Sequence, residues 1–338
     1  MHVQEHVELA PYTTLKVGGP ARYLIEVSTK AELEQARLFA QQTNVPVLVL
    51  GQGSNVLVSD TGYDGLVIVN QINGRDYHTA PDGTVTATYG AGEGWDAVVA
   101  DTVDRGYWGL ENLSHIPGTV GATPVQNVGA YGVEVSDRIT SVEAFSLQTG
   151  ETKTFTNSDC QFIYRDSFFK TEAGRGWIIT SVTFALSTDS AAAVLGYADL
   201  RAFVESKSDF TQLELRQEII RIRSEKFPNW QQVGTAGSFF KNPLVSPAKL
   251  TDLLGQYPDL PHFAQPSGEY KVALGWILDQ VCHLRGYCDG EVCLSQHQAL
   301  VLLNHGSSAT AVTDFVTHVQ TVVYDKTKIQ IEPEVRLI

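Results

Sequence analysis

Ala236-Gly237-Ser238-Phe239-Phe240-Lys241-Asn242-Pro243 is the segment of this chain best built to present a reactive side chain. Small residues let the backbone approach another group closely, a hydroxyl follows, and two adjacent phenylalanines fix the strand that carries it. Ser238 is thereby held by its neighbours, as a catalytic hydroxyl must be. Taken alone, the segment also reads as a Gly-Ser turn leading into a buried Phe-Phe strand. Two glycine-rich stretches carry ligand-binding information. In Gly51-Gln52-Gly53-Ser54-Asn55, the third glycine of a dinucleotide fingerprint is missing, and Val56-Leu57-Val58 reads as strand where that fingerprint needs a helix. What remains is a run of backbone amides able to form an anion-binding nest. The second stretch, Ile116-Pro117-Gly118-Thr119-Val120-Gly121-Ala122-Thr123-Pro124 and then Gln126-Asn127-Val128-Gly129-Ala130-Tyr131-Gly132, exceeds an ordinary turn and suits a long ligand lying along the backbone.

Composition narrows the partners. The chain has 338 residues, enough for two domains, with 43% hydrophobic and 18% charged residues. A net charge of −14 with no long Lys/Arg cluster argues against nucleic acid or an acidic membrane. Anionic ligands would have to be held by a few local cations and by backbone N–H groups. No basic-plus-apolar leader occupies Met1–Ala10, and no apolar run is long enough to cross a bilayer, so a cytoplasmic protein is expected. Cys160, Cys282, Cys288 and Cys293 form no CxxC pair and read as ordinary reduced thiols; with the histidines scattered, no metal site is visible.

The elements that must position these residues alternate in an α+β order. Thr29-Lys30-Ala31-Glu32 is a capping box opening a helix to about Gln41, with Leu33, Ala36 and Ala40 on one face. Val45–Leu50 and Leu66–Val69 read as strands, Trp95–Arg105 as a helix stopped by Gly106, and Val142–Leu147 with Thr152–Phe155 as a hairpin. Trp177–Leu186 is a further strand. Thr211-Gln212-Leu213-Glu214 caps a helix to about Ser224, Ser246-Pro247 starts another, and Val272–Cys282 and Val312–Val323 have helical spacing. The best domain boundary lies near Ser187–Phe210.

Gly51–Asn55, Pro117–Gly132, Tyr164-Arg165-Asp166-Ser167, Gly237–Pro243 and Glu332-Pro333-Glu334 together resemble the UDP-N-acetylenolpyruvoylglucosamine reductase (MurB) family of bacterial peptidoglycan synthesis. They occur in the family's order and span nearly the whole chain. The resemblance implies a vanillyl-alcohol-oxidase (PCMH) type FAD-binding domain over residues 17–188, with subdomains of about 1–70 and 71–188. It also implies an α+β substrate-binding domain over 207–325 and a C-terminal strand, 326–338, carrying Glu334. The implied reaction takes hydride from NADPH to FAD and on to the enolpyruvyl ether of a UDP-sugar, giving UDP-N-acetylmuramate, in a cytoplasmic monomer.

The chemistry makes sense of the residues. Reducing an enol ether conjugated to a carboxylate sends hydride to the terminal methylene carbon, and negative charge develops on the alpha carbon and carboxylate oxygens. That requires a hydride source, a cation or donor on the carboxylate, and an acid for the alpha carbon. No side chain supplies hydride, so a flavin must. From the resemblance, Arg165 is the carboxylate-stabilising residue, Ser238 the proton donor and Glu334 the carboxyl group assisting Arg165. The residues alone do not choose between Glu332 and Glu334; the family pattern selects Glu334.

Cofactor contacts carry over to Gly51, Gln52, Gly53, Ser54, Asn55, Val56 and Leu57, and in the second run to Ile116, Pro117, Gly118, Thr119, Gly121, Ala122, Gln126, Asn127, Gly129, Ala130, Tyr131 and Gly132. Substrate contacts carry over to Tyr164, Tyr197, Arg223, Lys226, Asn242 and Gln298. Tyr197 matches a tyrosine loop of the family's longer, type I members, which closes on the UDP group. Phe227-Pro228-Asn229-Trp230 departs from the proline-aspartate-proline usual after the lysine, which leaves the local loop path open. Ser54 stands where some relatives attach flavin covalently, and the second run has no cysteine; His115 reads as a packing or hydrogen-bonding residue. Non-covalent FAD is expected. A flavin sugar or alcohol oxidase would not need the Gly237–Pro243 serine segment, and a non-enzymatic nucleotide-sugar binder would not need Arg165, Ser238 and Glu334 intact.

Overall fold

The computed structural model describes residues 2–207 and 209–338; Met1 and Ser208, which fall inside the expected 1–70 and 207–325 ranges, lie outside the described residues. The chain divides into two units of interleaved sequence. The first comprises Met1–Val7, Ala21–Gln52 and Asp64–Ser224; the second comprises Glu8–Pro20, Gly53–Tyr63 and Glu225–Ile338.

In the first unit, helix α1 (Lys30–Thr43) begins at the expected box: the Thr29 hydroxyl accepts the Glu32 N–H at 3.2 Å, and Glu32 Oε2 accepts the Thr29 N–H at 3.1 Å. Its buried stripe of Leu33, Ala36 and Ala40 meets Ile25, Leu66 and Ile68 of a four-stranded sheet. Full burial of a leucine such as Leu33 contributes roughly 1.5–3 kcal/mol. That sheet runs in the order Gln4–Glu8, Pro20–Val27, Tyr63–Asn70, Val47–Leu50, the last two parallel with Val47 opposite Leu66. A second, antiparallel sheet runs in the order Thr152–Thr156, Ile139–Ser146, Trp177–Ser187, Thr84–Gly90, Arg75–Thr79. Helix α2 (Trp95–Asp104) lays Trp95, Val98 and Val99 against Val85, Tyr89 and Phe184 of that sheet. The long glycine-rich run holds a short turn at Val120–Ala122, a single bridge from Thr119 to Gly94, and the two-residue strand Gly129–Ala130, which pairs with Val133–Glu134 just beyond the run, so its backbone forms no continuous ladder.

Two further helices complete this unit, α3 (Arg201–Ser206) and α4 (Gln212–Lys226). The expected boundary near Ser187–Phe210 is thereby corrected. Leu215, Ile219 and Ile222 of α4 share a core with Trp108, Tyr131 and Leu200, so the helix through Ser224 belongs with the preceding sequence, and the division falls within its last turn, between Ser224 and Glu225.

The second unit has its own core, in which Phe239 and Phe240 meet Val312, Phe315, Leu15 and Leu57. Helix α5 (Pro247–Gln256) starts with the Ser246 hydroxyl accepting the Lys249 N–H at 3.2 Å. The helix expected over Val272–Cys282 is shorter and irregular. Val272 ends a strand (Tyr270–Val272), since its N–H donates to the Pro243 carbonyl at 3.1 Å. The Asn242 side chain then accepts the Leu274 N–H at 3.0 Å, starting the single turn α6 (Leu274–Trp276), which widens to a π turn over Ile277–Val281. Helix α7 (Ala309–Thr327) buries Val312, Phe315, Val316, Val319 and Val323 as their spacing predicts. Its first turn is held by Asp60, whose carboxylate accepts the Ala309 and Thr310 N–H groups, each at 2.8 Å. Residues 8–20 and 53–63 are thus part of this unit, which the expected 17–188 domain did not foresee.

Two more readings are corrected here. The C-terminal strand is confined to Arg336–Leu337, parallel to Val56–Leu57, and Glu334 lies in the bend before it. Cys288 and Cys293 are not free thiols: they face each other across the hairpin of Cys288–Asp289 and Val292–Leu294, which brings their sulfurs into a disulfide. Cys160 and Cys282 are free and buried. Among the described residues no helix is long and apolar enough to cross a membrane.

Candidate active site

In the first unit, Arg165 sits at the tip of a two-residue turn. Ile163 and Asp166 exchange both backbone hydrogen bonds at 3.2 Å, which makes Tyr164 and Arg165 its corners and puts Arg165 at φ 54°. A left-handed conformation costs a non-glycine residue roughly 1–2 kcal/mol, so surrounding contacts must impose it. They come from the glycine-rich run: Arg165 Nη2 donates to the Gly129 carbonyl at 2.6 Å and Nη1 to the Asn127 carbonyl at 3.2 Å. Lys170 Nζ holds the carbonyl of Arg165 itself at 2.8 Å. Asn127 is buried at φ 46°, its Nδ2 donating to Glu134 Oε2 at 2.8 Å and to the Ile163 carbonyl at 3.2 Å. The structure therefore brings together Arg165, Asn127 and Gly129, one residue expected in catalysis and two expected at the cofactor.

Gly51 and Gln52 of the first glycine stretch also meet the second run within this unit. Gln52 Oε1 accepts the Gly118 N–H at 3.0 Å, and a Cβ placed on Gly51 would lie 2.3 Å from Thr119 Oγ1, so only glycine allows this approach. The Gly118 carbonyl accepts the Trp95 N–H at 2.9 Å, and the Val120 and Gly121 N–H groups donate to Glu93 and Ala91 carbonyls at the same distance. Peptide groups, hydroxyls and side-chain amides thus meet at close quarters, a polar surface of the kind that fits a flavin nucleotide.

Tyr131, expected at the cofactor, is buried at φ 49° with its carbonyl accepting from Asn112 Nδ2 at 2.8 Å. Burial pushes its phenol up to about 12. It hydrogen-bonds Arg223, and the ring of Tyr197 meets it edge to face at 5.2 Å between centroids. Tyr197 keeps 43% of its surface exposed. Arg223 was expected to touch substrate, yet it is buried and its Nε donates to the His115 carbonyl at 3.1 Å. Burial lowers the guanidinium from its ordinary value, while Tyr131 and Asp96 work against that shift. Asp96 and Arg216, bonded to each other beside His115, escaped the sequence reading; the only sequence signal is the seven-residue spacing of Arg216 and Arg223 on α4.

In the second unit, Ser238 lies on an extended segment pinned from both sides. Gly237 precedes it at φ 72°, with its N–H on Thr235 Oγ1 at 3.1 Å. Ser238 bridges Val301, and the Phe239 N–H donates to the Leu300 carbonyl at 2.8 Å. On the opposite side the Phe239 carbonyl accepts the Glu334 N–H at 2.7 Å and the Lys241 N–H donates to the Glu332 carbonyl at 3.0 Å. The side chains of Phe239 and Phe240 are buried in the core, so Ser238 is held at the level of its backbone. Glu332 and Glu334 are now distinguishable. The Glu332 side chain is 77% exposed, 3.8 Å from Lys241 Nζ. Glu334 is half-buried, and its carbonyl accepts from Asn55 Nδ2 at 3.2 Å.

Gly53, Ser54, Asn55, Val56 and Leu57 belong to this unit too. The Gly53 carbonyl accepts the Thr14 N–H at 3.2 Å, and the Asn55 carbonyl accepts the Arg336 N–H at 3.0 Å. Ser238, Glu334 and Asn55 thus form one stitched cluster. Asn242 and Gln298 support it: the first starts α6, and the second accepts the Val301 N–H on its carbonyl at 2.9 Å, shaping the turn that pairs with Ser238. Lys226 is the half-buried last residue of α4.

A family model described as an FAD binding domain matches residues 21–156, and one described as the C-terminal domain of UDP-N-acetylenolpyruvoylglucosamine reductase matches residues 228–338. Together they define a flavoprotein oxidoreductase of α+β class, with the PCMH-type domain expected from the sequence. A UDP-N-acetylenolpyruvoylglucosamine reductase from Neisseria gonorrhoeae is 40% identical over 98% of this chain and 96% of its own length, and one from Cupriavidus pinatubonensis is 42% identical over 98% and 97%. The crystal structure of the MurB reductase from Thermus caldophilus superposes with a TM-score of 0.68 at 27% identity, covering 100% of this chain and 99% of that one. The chain belongs to the UDP-N-acetylenolpyruvoylglucosamine reductase family.

Proposed function

We propose that the protein is an NADPH-dependent flavoenzyme that reduces the enolpyruvyl ether of UDP-N-acetylglucosamine enolpyruvate, forming UDP-N-acetylmuramate for cell-wall synthesis. The carrying observation is the doubly pinned Ser238 with the Glu334 N–H bonded to its neighbour, on a chain of this family. Bound FAD supplies the hydride chemistry that no side chain offers. Gly51–Leu57 and Ile116–Gly132 hold it through backbone and small polar groups.

The protein's own residues do the rest. Arg165, its guanidinium oriented by two carbonyls, draws the carboxylate charge that grows as the methylene carbon is reduced. Ser238 gives its proton to the alpha carbon; a hydroxyl is a weak acid, but a carbanion-like carbon is a far stronger base. Glu334, placed by bonds from its N–H and to its carbonyl, assists in stabilising the enolic charge. Lys226 and Tyr197 hold the UDP end, and Tyr164, Asn242 and Gln298 border the substrate. The enzyme works in the cytoplasm as a monomer.

The test is direct. Purified protein should be yellow, NADPH should bleach it anaerobically, and the enolpyruvyl UDP-sugar should restore the colour with one equivalent of product. Bleached protein that is reoxidised by oxygen but not by this substrate would favour an oxidase.

A further inference from the structure

Arg216 and Arg223 lie seven residues, two helical turns, apart on α4 and both are buried. Both reach His115. Asp96, in the first turn of α2, receives the Arg216 fork, Nη1 on Oδ1 at 2.8 Å and Nη2 on Oδ2 at 3.0 Å. The same Oδ1 accepts the His115 backbone N–H at 2.5 Å, and Arg223 Nε donates to the His115 carbonyl at 3.1 Å. Both backbone polar groups of His115 are therefore taken up by charged side chains. His115 stands at φ 59°, a conformation that histidine adopts at a cost.

The position of this turn gives it leverage. His115 immediately precedes Ile116-Pro117-Gly118-Thr119, the part of the run that meets Gln52 and Gly51. Sixteen residues on, Tyr131 is the next bulky side chain of the run held at positive φ, and it too is bonded to Arg223. One helix face thus grips the run at both ends. A histidine released to an ordinary φ would swing by more than 100° and re-aim everything from Pro117 to Ala122.

We infer that Asp96, Arg216 and Arg223 form a positioning clamp that fixes the left-handed turn at His115, and with it the shape of the flavin-binding loops. The inference rests on the reading that those loops hold FAD. Arg223 then acts first on the protein's own backbone. Arginine is required at 216 because only its planar fork engages both carboxylate oxygens.

The experiment is FAD titration of the deflavinated full-length chain, followed by flavin fluorescence, with the visible spectrum and midpoint potential of the reloaded protein. Asp96→Asn and Arg216→Lys, which keep the shape or the charge, should each weaken FAD affinity by about tenfold or more and move the flavin bands or potential. Ile219→Ala empties a core position of the same helix and leaves every hydrogen-bonding group of the clamp in place; it should lower Tm but leave affinity and spectrum as in the unaltered protein. Unaltered FAD affinity and spectrum in both clamp variants would overturn the inference. So would an equal loss in Ile219→Ala, since that would mark a general effect of helix stability. An unaltered chain that bound no FAD would bring down the cofactor reading, and this inference with it, a result readily told apart from the other two.

Discussion

The Glu334 N–H donates to the Phe239 carbonyl at 2.7 Å, one residue beyond Ser238. The link fixes the peptide between Phe239 and Phe240 to the one between Pro333 and Glu334. Because it joins backbones, side-chain replacement at either position leaves it in place, and variants there report on chemistry.

Ser238→Ala should accordingly separate the two half-reactions. Bleaching by NADPH should proceed at a near-normal rate, while reoxidation by the enolpyruvyl substrate slows by about 10²–10⁴-fold, the usual worth of a positioned general acid. Stopped-flow absorbance follows both steps, and equal slowing of the two would assign the serine a structural role.

Flavin attachment can be read by eye. Neither glycine stretch, Gly51–Asn55 or Ile116–Gly132, contains a cysteine or a histidine to which flavin could be attached. Acid precipitation should move the yellow colour into the supernatant. A yellow pellet would mean a covalent bond.

Lys226 and Arg165 should fail differently. A net charge of −14 repels anions at long range, so local cations must hold the substrate. Lys226→Ala should weaken UDP-sugar binding by roughly 1.5–3 kcal/mol, a lost charge-assisted hydrogen bond, as measured by calorimetry. Arg165→Ala should lower kcat more than it raises KM, because its contact strengthens as charge develops. The reverse pattern would exchange the two roles.

Acid stability should depend in part on Asp96. Burial acts to raise its carboxyl, but the Arg216 fork and the His115 N–H together outweigh burial and hold it below the ordinary aspartate value. A depressed folded-state pKa gives stability that is complete above the unfolded value of 3.8 and lost as pH falls through the lower folded value. Asp96→Asn should therefore lower Tm at neutral pH and give a shallower fall below about pH 4. Calorimetric melts across that range check it; an acid limb as steep as that of the unaltered protein would place the dependence on other carboxylates.

Thiol counting tests the hairpin disulfide. Alkylation of the protein unfolded without reductant should label Cys160 and Cys282 alone, and prior reduction should add Cys288 and Cys293. Four labels without reductant would restore the reading of ordinary thiols.

Local signals were legible in the sequence and distant ones were not. The Thr29–Glu32 box and the valine stripe of α7 declare themselves within one or two helical turns, where spacing and geometry are tied together. Ser238 was legible because its pinning residues, Phe239 and Phe240, are adjacent to it. Residues were insufficient to separate Glu332 from Glu334, since the difference is one of exposure and of a bond from Asn55 far along the chain. Asp96 and Arg216 are 120 residues apart, and nothing in either neighbourhood marks them as partners. The Cys288–Cys293 spacing is equally mute until the hairpin sets one opposite the other.

The interleaving of the two units sets an order of events during synthesis. Leu15, Val17 and Leu57 share a core with Phe239, Phe240 and Val335, and Asp60 binds the first N–H groups of a helix that begins at Ala309. At roughly 5–20 residues per second, the ribosome delivers the phenylalanines some ten to forty seconds after Leu57. Through that interval the nascent chain exposes apolar side chains whose partners do not yet exist. A fragment beginning at Glu225 would meet the same deficit permanently, lacking three core residues and the carboxylate that binds the first turn of α7.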